Sequence, residues 1–168
     1  DSLNKYLPLD IRILDAEKTD NRFHARLNAK GKRYRYTIDN GEVANVFERK
    51  YMTRLTENYD IEAMKKAAGY LIGEHDFIGF ASSGFSVKTT VREIYSLDVD
   101  KNGDIITIDV VGNGFLYNMV RIIAGTLVFV GGGKINPNDM ADIINSKDRE
   151  RAGITAPPQG LCLKEVYY

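Results

Sequence analysis

Residues 21–37 carry six basic residues and no acidic residue, and two tyrosines, Tyr34 and Tyr36, are interleaved with these cations. Aromatic faces that stack on bases, together with positive charges that neutralise phosphates, suit the binding of an unpaired or flipped nucleotide. The same composition also suits a solvated edge strand whose cations discourage aggregation. Composition alone leaves both interpretations open. The basic residues are Arg22, Arg26, Lys30, Lys32, Arg33 and Arg35.

The alternation of side chains along residues 32–38 predicts a strand with two different faces. Tyr34 and Tyr36 would share one face, and Arg33 and Arg35 would share the other, because neighbouring side chains of a strand point to opposite sides of the sheet. The tyrosines and the arginines therefore cannot all contact the same ligand. The tyrosine face is predicted to be either core or binding site.

Arg121 is the second residue of chemical interest, because it is the single charge in the apolar run of residues 112–133. Apolar spacing predicts a helix over residues 115–130, buried on most sides, capped by Asn113 and ended by the glycines at 131–133. Arg121 would either extend past its apolar neighbours to water or be held inside. A buried guanidinium needs a carboxylate or a phosphate, and the helix contains neither. The run is also shorter than the roughly 20 residues that cross a bilayer, so no membrane span is predicted.

Length and composition are those of one ordinary domain. The 168 residues can bury about 70% of the surface of the unfolded chain. The 23 basic and 23 acidic residues balance to a formal net charge of zero, which on average argues against a nucleic-acid binder. The single cysteine, Cys162, is predicted to be a small apolar strand residue. Because one cysteine cannot form an internal disulfide and no signal peptide is recognised, a reducing cytoplasm is the expected compartment. His75 and Asp76 are predicted to fix a turn, and no metal site is predicted.

The pattern of apolar residues predicts an α+β fold with a mixed, largely antiparallel sheet and helices packed on one face. A helix is predicted to begin at the Asp60 cap, and a second helix to begin at Asn136 and Pro137. Asn102 and Gly103 predict a hairpin turn, with Tyr95, Leu97 and Val99 on one face of the strand before it. The remaining strands are predicted near residues 11–14, 23–28, 32–38, 106–110 and 161–166.

Seven segments, in the same order along nearly the whole chain, resemble the tRNA pseudouridine synthase A family. Each segment alone would be weak, but together they favour the RNA-binding interpretation of the basic segment. The segments are LNKYLPLDIRI at residues 3–13, FHAR at 23–26, KRYRY at 32–36, GEHDF at 73–77, TVREI at 90–94, GNGFLYNMVR at 112–121 and TAPPQGLCL at 155–163.

The resemblance implies an enzyme that isomerises uridine to pseudouridine in the anticodon stem-loop of tRNA, without a cofactor and as a homodimer. The essential aspartate of the family lies in a motif reading approximately G-R-T-D-A-G-V-H, upstream of the segment that resembles residues 2–13. These 168 residues contain no such motif. Residues 1–168 are therefore expected to be one compact domain, the carboxy-terminal two thirds of a family member, and to be inactive alone.

The resemblance also implies roles for individual residues. Tyr34 matches the tyrosine that stacks on the flipped uracil and is a candidate for proton chemistry at the base. Arg121 matches the arginine that pairs with the catalytic aspartate and keeps it ionised. Phosphate contacts are expected, from charge and neighbourhood, at Arg22, His24, Arg26, Lys32, Arg33 and Arg35.

Two other functions stay open on the sequence. A non-catalytic RNA-binding module would use the same basic and aromatic strand. A structural or dimerisation domain would use the apolar helix and bind no RNA. Binding of an anticodon stem-loop over a range of salt concentrations separates these functions, because phosphate contacts make affinity fall steeply with salt.

Overall fold

The computed structural model of the chain describes residues 2–84 and 87–168. Within these residues, six strands form one sheet and three α-helices pack with it, so the predicted α+β class is confirmed. The strands are β1 (Gly31–Asp39), β2 (Thr53–Arg54), β3 (Gly73–Asp76), β4 (Val91–Asn102), β5 (Ile105–Gly112) and β6 (Leu161–Tyr167). The helices are α1 (Ile61–Gly69), α2 (Met119–Gly131) and α3 (Met140–Ser146).

Strand β1 lies inside the sheet. The order is β3-β4-β5-β1, and the other edge of β1 pairs with β6 along Gly31 to Tyr36 and with β2 at Ile38 and Asp39. The β1–β2 pairing is parallel and the other described pairings are antiparallel, as the predicted mixed, largely antiparallel sheet requires.

The two faces of β1 are as different as its alternation predicts. Tyr36 and Ile38 are fully buried in the core. Arg33 and Arg35 lie on the opposite face, where both bind Asp109 of the neighbouring strand β5. The core between sheet and helices is therefore built on the tyrosine side of the strand.

The hairpin of β4 and β5 forms where Asn102 and Gly103 predict it, with Gly103 at a φ of +56°. The prediction for Tyr95 is wrong. A register irregularity between Ile94 and Ser96 moves Tyr95 out of the core face, and its side chain is 50% exposed while Ile94 is buried instead. Such a bulge shifts the alternation by one residue, which an apolar pattern does not reveal.

Helix α2 is buried over most of its length, as predicted, but it begins at Met119 rather than near residue 115. Asn113 does not cap it. The Asn113 side chain instead accepts a hydrogen bond from the Glu93 amide of β4, which ties the end of β5 to its neighbour. The helix ends at Gly131, and Gly133 has a φ of +74°, as the predicted glycine stop requires.

Two predicted strands, at residues 11–14 and 23–28, are absent from this part of the structure, which is irregular there. Leu14 is 94% exposed, and Asn28 donates its backbone N–H to the His24 carbonyl in a local turn. The apolar side chains of these segments lie largely exposed, so the short apolar alternation faces no core.

The two other predicted helices are confirmed. Asp60 caps α1 by accepting from the Ala63 amide. A 3-10 turn over Pro137–Asp139 leads into α3, whose apolar side chains Met140, Ile143 and Ile144 are buried. In the described ranges, no helix has the length and apolar character needed to cross a membrane.

Candidate nucleic-acid interface

The start of β1 and the approach to α2 meet at a pair of aromatic rings. The ring centroids of Tyr34 and Phe115 are 5.3 Å apart, and the two ring planes meet edge to face at 89°. This is a favourable arrangement, because the positive edge of one ring faces the negative face of the other. The contact fixes Tyr34 beside the segment that leads into α2.

Tyr34 and Tyr36 differ in their hydrogen bonding although they share one face of β1. The buried Tyr36 hydroxyl donates to the Pro157 carbonyl at 2.8 Å and accepts from the Thr53 hydroxyl at 2.6 Å. Tyr34 is only partly buried, and its hydroxyl has no hydrogen-bond partner among residues 2–84 and 87–168. Tyr36 is therefore a core residue, whereas Tyr34 has a hydroxyl that a ligand can use.

Desolvation by the surrounding core raises the pKa of the Tyr34 phenol above its ordinary value. The phenol therefore stays protonated at neutral pH, because even an unperturbed tyrosine titrates near pH 10. A neutral phenol can donate one hydrogen bond and also accept, so Tyr34 can both stack on a base and bond to one of its polar atoms.

Arg121 is partly buried and is held by two polar groups. Its Nε donates to the Ala156 carbonyl at 2.6 Å, and its Nη1 donates to the Asn118 side-chain oxygen at 3.0 Å. These bonds use two of the five N–H groups of a guanidinium. The ion pairs of the described residues do not include Arg121, so its remaining N–H groups are free for an anionic partner.

Asn118 has an unusual backbone conformation at the start of α2. Its φ is +61°, in the left-handed region that few residues other than glycine occupy. Its side-chain nitrogen donates to the Ser82 hydroxyl at 3.0 Å while its oxygen accepts from Arg121. Asn118 therefore joins Arg121 to the segment that follows β3.

The carboxylates that are shielded from water have cationic partners elsewhere. Asp109 binds Arg33 and Arg35, Asp39 binds Arg54, and Asp76 binds Lys147. The backbone N–H of Asn45 is the largest cause of the lowered pKa of Asp39, and Lys147 is the largest cause for Asp76. Each of these carboxylates has a structural role, and none is paired with Arg121.

The structure separates the six residues expected to contact phosphates. Arg33 and Arg35 lie on the face opposite Tyr34, where the hydrogen bond to Asp109 raises the pKa of Arg33. Arg26 and Lys32 line a cavity of about 450 Å³ beside Phe115.

Arg22 and His24 lie in the exposed turn before β1. The Nδ1 of His24 accepts from the backbone amides of Arg26 and Leu27, so only its Nε2 is available to a ligand.

Arg92 also lines that cavity, and sequence reasoning did not single it out. It stands at the start of β4 in the TVREI segment, but a strand pattern does not show which side chains reach a neighbouring loop. In the part of the chain that the structure describes, no cluster of three or more His, Cys, Asp or Glu side chains is arranged to hold a metal ion.

Comparison with known proteins gives a consistent result. Residues 67–168 match the family described as tRNA pseudouridine synthase. A tRNA pseudouridine synthase A of Thermoanaerobacter sp. (strain X514) is 51% identical over 167 residues, which is 99% of this chain and 68% of the relative. Proteins of the same name from Ruminiclostridium cellulolyticum and Brevibacillus brevis are 49% and 50% identical over 168 and 166 residues. These alignments cover 99% of this chain and 69% and 68% of the two relatives.

Proposed function

We propose, because the chain belongs to the tRNA pseudouridine synthase family, that it is the RNA-binding and base-holding portion of an enzyme that isomerises uridine to pseudouridine in the anticodon stem-loop of tRNA. The observation that carries the proposal is the 51% identity over 167 residues. Identity of this extent makes a shared fold and a shared substrate class the natural expectation. The geometry around Tyr34 supports the same function.

The target base is proposed to stack on Tyr34. An enzyme that acts on a base in a folded RNA must first take that base out of the stack, and an aromatic face lowers the cost of doing so. Tyr34 has the required features, because its ring is held by Phe115 and its hydroxyl is unused in the described structure. Tyr36 is unsuited to this role because it is fully buried and its hydroxyl is already bonded.

Arg121 is proposed to pair with the catalytic aspartate that the family resemblance implies. A guanidinium within contact distance would lower the pKa of that carboxyl and keep it ionised and oriented for attack. The unused N–H groups of Arg121 support this role. Since the G-R-T-D motif does not occur in these 168 residues, we propose that the 168 residues alone form no pseudouridine.

Phosphates of the stem-loop are proposed to contact the basic segment that precedes and begins β1. Arg26 and Lys32 are the strongest candidates, because they line the cavity beside Phe115. Arg22 and His24 extend this surface along the turn. Arg33 and Arg35 would contact RNA on the other face of the sheet and would have to share their charge with Asp109. The resemblance further supports a cytoplasmic homodimer.

A chimaera tests the proposal. The chain is joined to the part of the Thermoanaerobacter relative that it does not cover, and pseudouridine in tRNA is mapped chemically after incubation with the purified protein. The relative itself is the control, and thermal melting checks that the chimaera is folded. Pseudouridine formed by the chimaera, and none formed by the 168 residues alone, is the expected result.

The same experiment separates the other functions. A folded chimaera that binds tRNA without forming pseudouridine would favour a non-catalytic RNA-binding module. A folded chimaera that neither binds tRNA nor modifies it would favour a structural or dimerisation domain. Either result contradicts the proposed function.

A further inference from the structure

Arg92 is held in an orientation that leaves one edge of its guanidinium unused. Its Nη1 donates to two backbone carbonyls, those of Thr89 at 2.9 Å and Val91 at 2.5 Å. The Nε and Nη2 groups have no acceptor among the described residues. These two groups form the side edge of the guanidinium, whose parallel N–H bonds match two oxygens of a phosphate.

Gly114 lies beside the Nε end of the Arg92 side chain. A Cβ atom placed on Gly114 would lie 3.6 Å from the Arg92 Nε and 3.7 Å from its Cδ. The side chain of Arg92 therefore runs along a stretch of backbone that carries no side chain of its own. Arg92 and Gly114 both line the cavity beside Phe115.

The cavity around Arg92 is cationic. Arg26, Lys32 and Arg92 line it, and none of the described lining residues is acidic. None of the three cations belongs to an ion pair of the described structure. Like charges repel when no anion is present, so three unpaired cations around one space favour an anionic ligand. Phe115 also lines this cavity, and its ring is the one that contacts Tyr34.

We propose that Arg92, together with Arg26 and Lys32, binds one phosphodiester of the RNA strand immediately beside the nucleotide held at Tyr34. The inference rests on the proposed function and adds a binding residue and a specific contact to it. Arg92 supplies a bidentate fork, whereas Arg26 and Lys32 supply charge. The contact fixes the backbone of the flipped nucleotide, and phosphate contacts of this kind position a nucleic acid without reading its sequence.

Single substitutions of Arg92 test the fork and the charge separately. Binding of an anticodon stem-loop RNA to the whole 168-residue chain is measured by filter binding over a salt series. Arg92→Gln is expected to bind about tenfold more weakly, as loss of a charge-assisted contact predicts. It should also make the fall of log affinity with log salt less steep, by up to about 0.7, the value for one single-strand phosphate, because Arg26 and Lys32 still face that phosphate. Arg92→Lys should keep the slope and still bind several-fold more weakly.

Lys66→Gln is the matched control, since it removes one exposed cation from α1, outside the cavity. It should leave affinity and slope unchanged. Thermal melting of each variant shows whether loss of the Thr89 and Val91 bonds alters the fold. Equal affinity and slope for Arg92→Gln and the parent chain would overturn the inference.

A second measurement identifies the phosphate. Stem-loops are synthesised with an uncharged methylphosphonate at one phosphate at a time. When the phosphate that Arg92 binds is the uncharged one, the parent chain and Arg92→Gln should have nearly the same affinity. At every other position, the loss of affinity from the methylphosphonate and the loss from Arg92→Gln should add. Additive effects at every position would overturn the inference even if Arg92→Gln binds weakly. Failure of the parent chain to bind the stem-loop would instead count against the proposed function itself.

Discussion

At the residue scale, two tyrosines on one face of β1 have different environments. Tyr36 is held in the core by hydrogen bonds to Thr53 and Pro157. Tyr34 contacts Phe115, and its hydroxyl has no hydrogen-bond partner in the part of the chain that the structure describes. The alternation of side chains along β1 places both tyrosines on one face and cannot tell their environments apart. Those environments depend on which residues of distant segments lie opposite each ring. The free hydroxyl of Tyr34 leads to a prediction.

Tyr34→Ala should weaken binding of the anticodon stem-loop by about 1–3 kcal/mol, the stacking energy of one base. Tyr34→Phe should bind nearly as well as the parent, because it keeps the aromatic face. Filter binding measures both, with Tyr51→Ala as a control at an exposed tyrosine. Equal affinities for Tyr34→Ala and the parent chain would show that Tyr34 does not stack on the RNA and is purely structural.

Arg121 shows a different limit of sequence reasoning. A carboxylate or phosphate was the expected partner, but within the described residues the partners are a backbone carbonyl and a side-chain amide. A carbonyl is not visible in a sequence pattern, because every residue has one. The structure therefore gives Arg121 a structural role in addition to its proposed pairing with the catalytic aspartate.

Arg121→Met should lower the free energy of unfolding of the chain by about 1–3 kcal/mol, because the Ala156 carbonyl and the Asn118 side chain lose their donor. Urea melts measure the change. Arg49→Met is the control, since Arg49 also donates to a carbonyl, that of Val46, but is exposed. An unchanged melt for Arg121→Met would mean that these two bonds contribute nothing to folding.

At the element scale, α2 holds the segment that leads into β6. The Gly153 amide donates to the Thr126 hydroxyl at 2.9 Å, and the Ala156 amide donates to the Arg121 carbonyl at 3.1 Å. The closest approach is at Gly125, where a Cβ atom would overlap the carbonyl of Ile154. The helix therefore orients Arg121 and positions the Ala156 carbonyl that binds it.

Gly125→Ala should destabilise the chain by about 3 kcal/mol, because the added methyl group meets backbone that cannot move without breaking these contacts. Gly69→Ala is the matched control. It lies at the end of α1 with no atom within 4 Å of the added Cβ, so it should be neutral or stabilising by up to about 1 kcal/mol. Thermal melts of the two variants give the comparison. Similar melting temperatures would show that α2 and the segment are not tightly packed.

Asp76 connects three elements and makes stability depend on pH. It accepts from Lys147 at the end of α3, from the Thr90 hydroxyl and from the Ile78 amide. These contacts, with Lys147 first, hold its pKa below the ordinary value of 3.8. The unfolded chain therefore takes up the proton at a higher pH than the folded chain does.

The stabilisation by Asp76 should be fully present above about pH 4 and should be lost as the pH falls through the lower pKa of the folded state. Asp76→Asn should remove that part of the pH dependence and cost about 1 kcal/mol at neutral pH. Urea melts between about pH 2.5 and 6 measure both. If the free energy of unfolding of Asp76→Asn falls with pH as steeply as that of the parent chain, the pH dependence comes from other carboxylates.

The elements that the sequence predicts well are those with their own local signals. The Asp60 cap, the Asn102–Gly103 turn and the apolar run of α2 each depend on residues close together in the chain, and each is confirmed. The two strands predicted before β1 do not form, because a short alternation of apolar and polar residues produces a strand only where a core can cover its apolar face. The bulge at Tyr95 and the cavity at Arg92 depend on contacts between distant segments.

At the scale of the whole molecule, a formal net charge of zero conceals an uneven distribution. The shielded acids Asp39, Asp76 and Asp109 are each paired with a cation, and Asp109 lies on the sheet face opposite Tyr34. The cations around the Phe115 cavity have no ion-pair partner among the described residues. A neutral protein can therefore present a local anion-binding surface. The chain aligns with 68% of the Thermoanaerobacter relative, so the surface described is one part of the enzyme proposed.

Binding of an anticodon stem-loop to the 168-residue chain, measured as a function of salt, decides whether this surface binds RNA. Three or four phosphate contacts predict a slope of log affinity against log salt between about −2 and −3, and so roughly a twentyfold or greater loss of affinity between about 50 and 200 mM salt. A duplex of the same length should bind more weakly, because it offers Tyr34 no free base. No binding at about 50 mM salt, or an affinity that does not change with salt, would contradict an RNA-binding role for this chain.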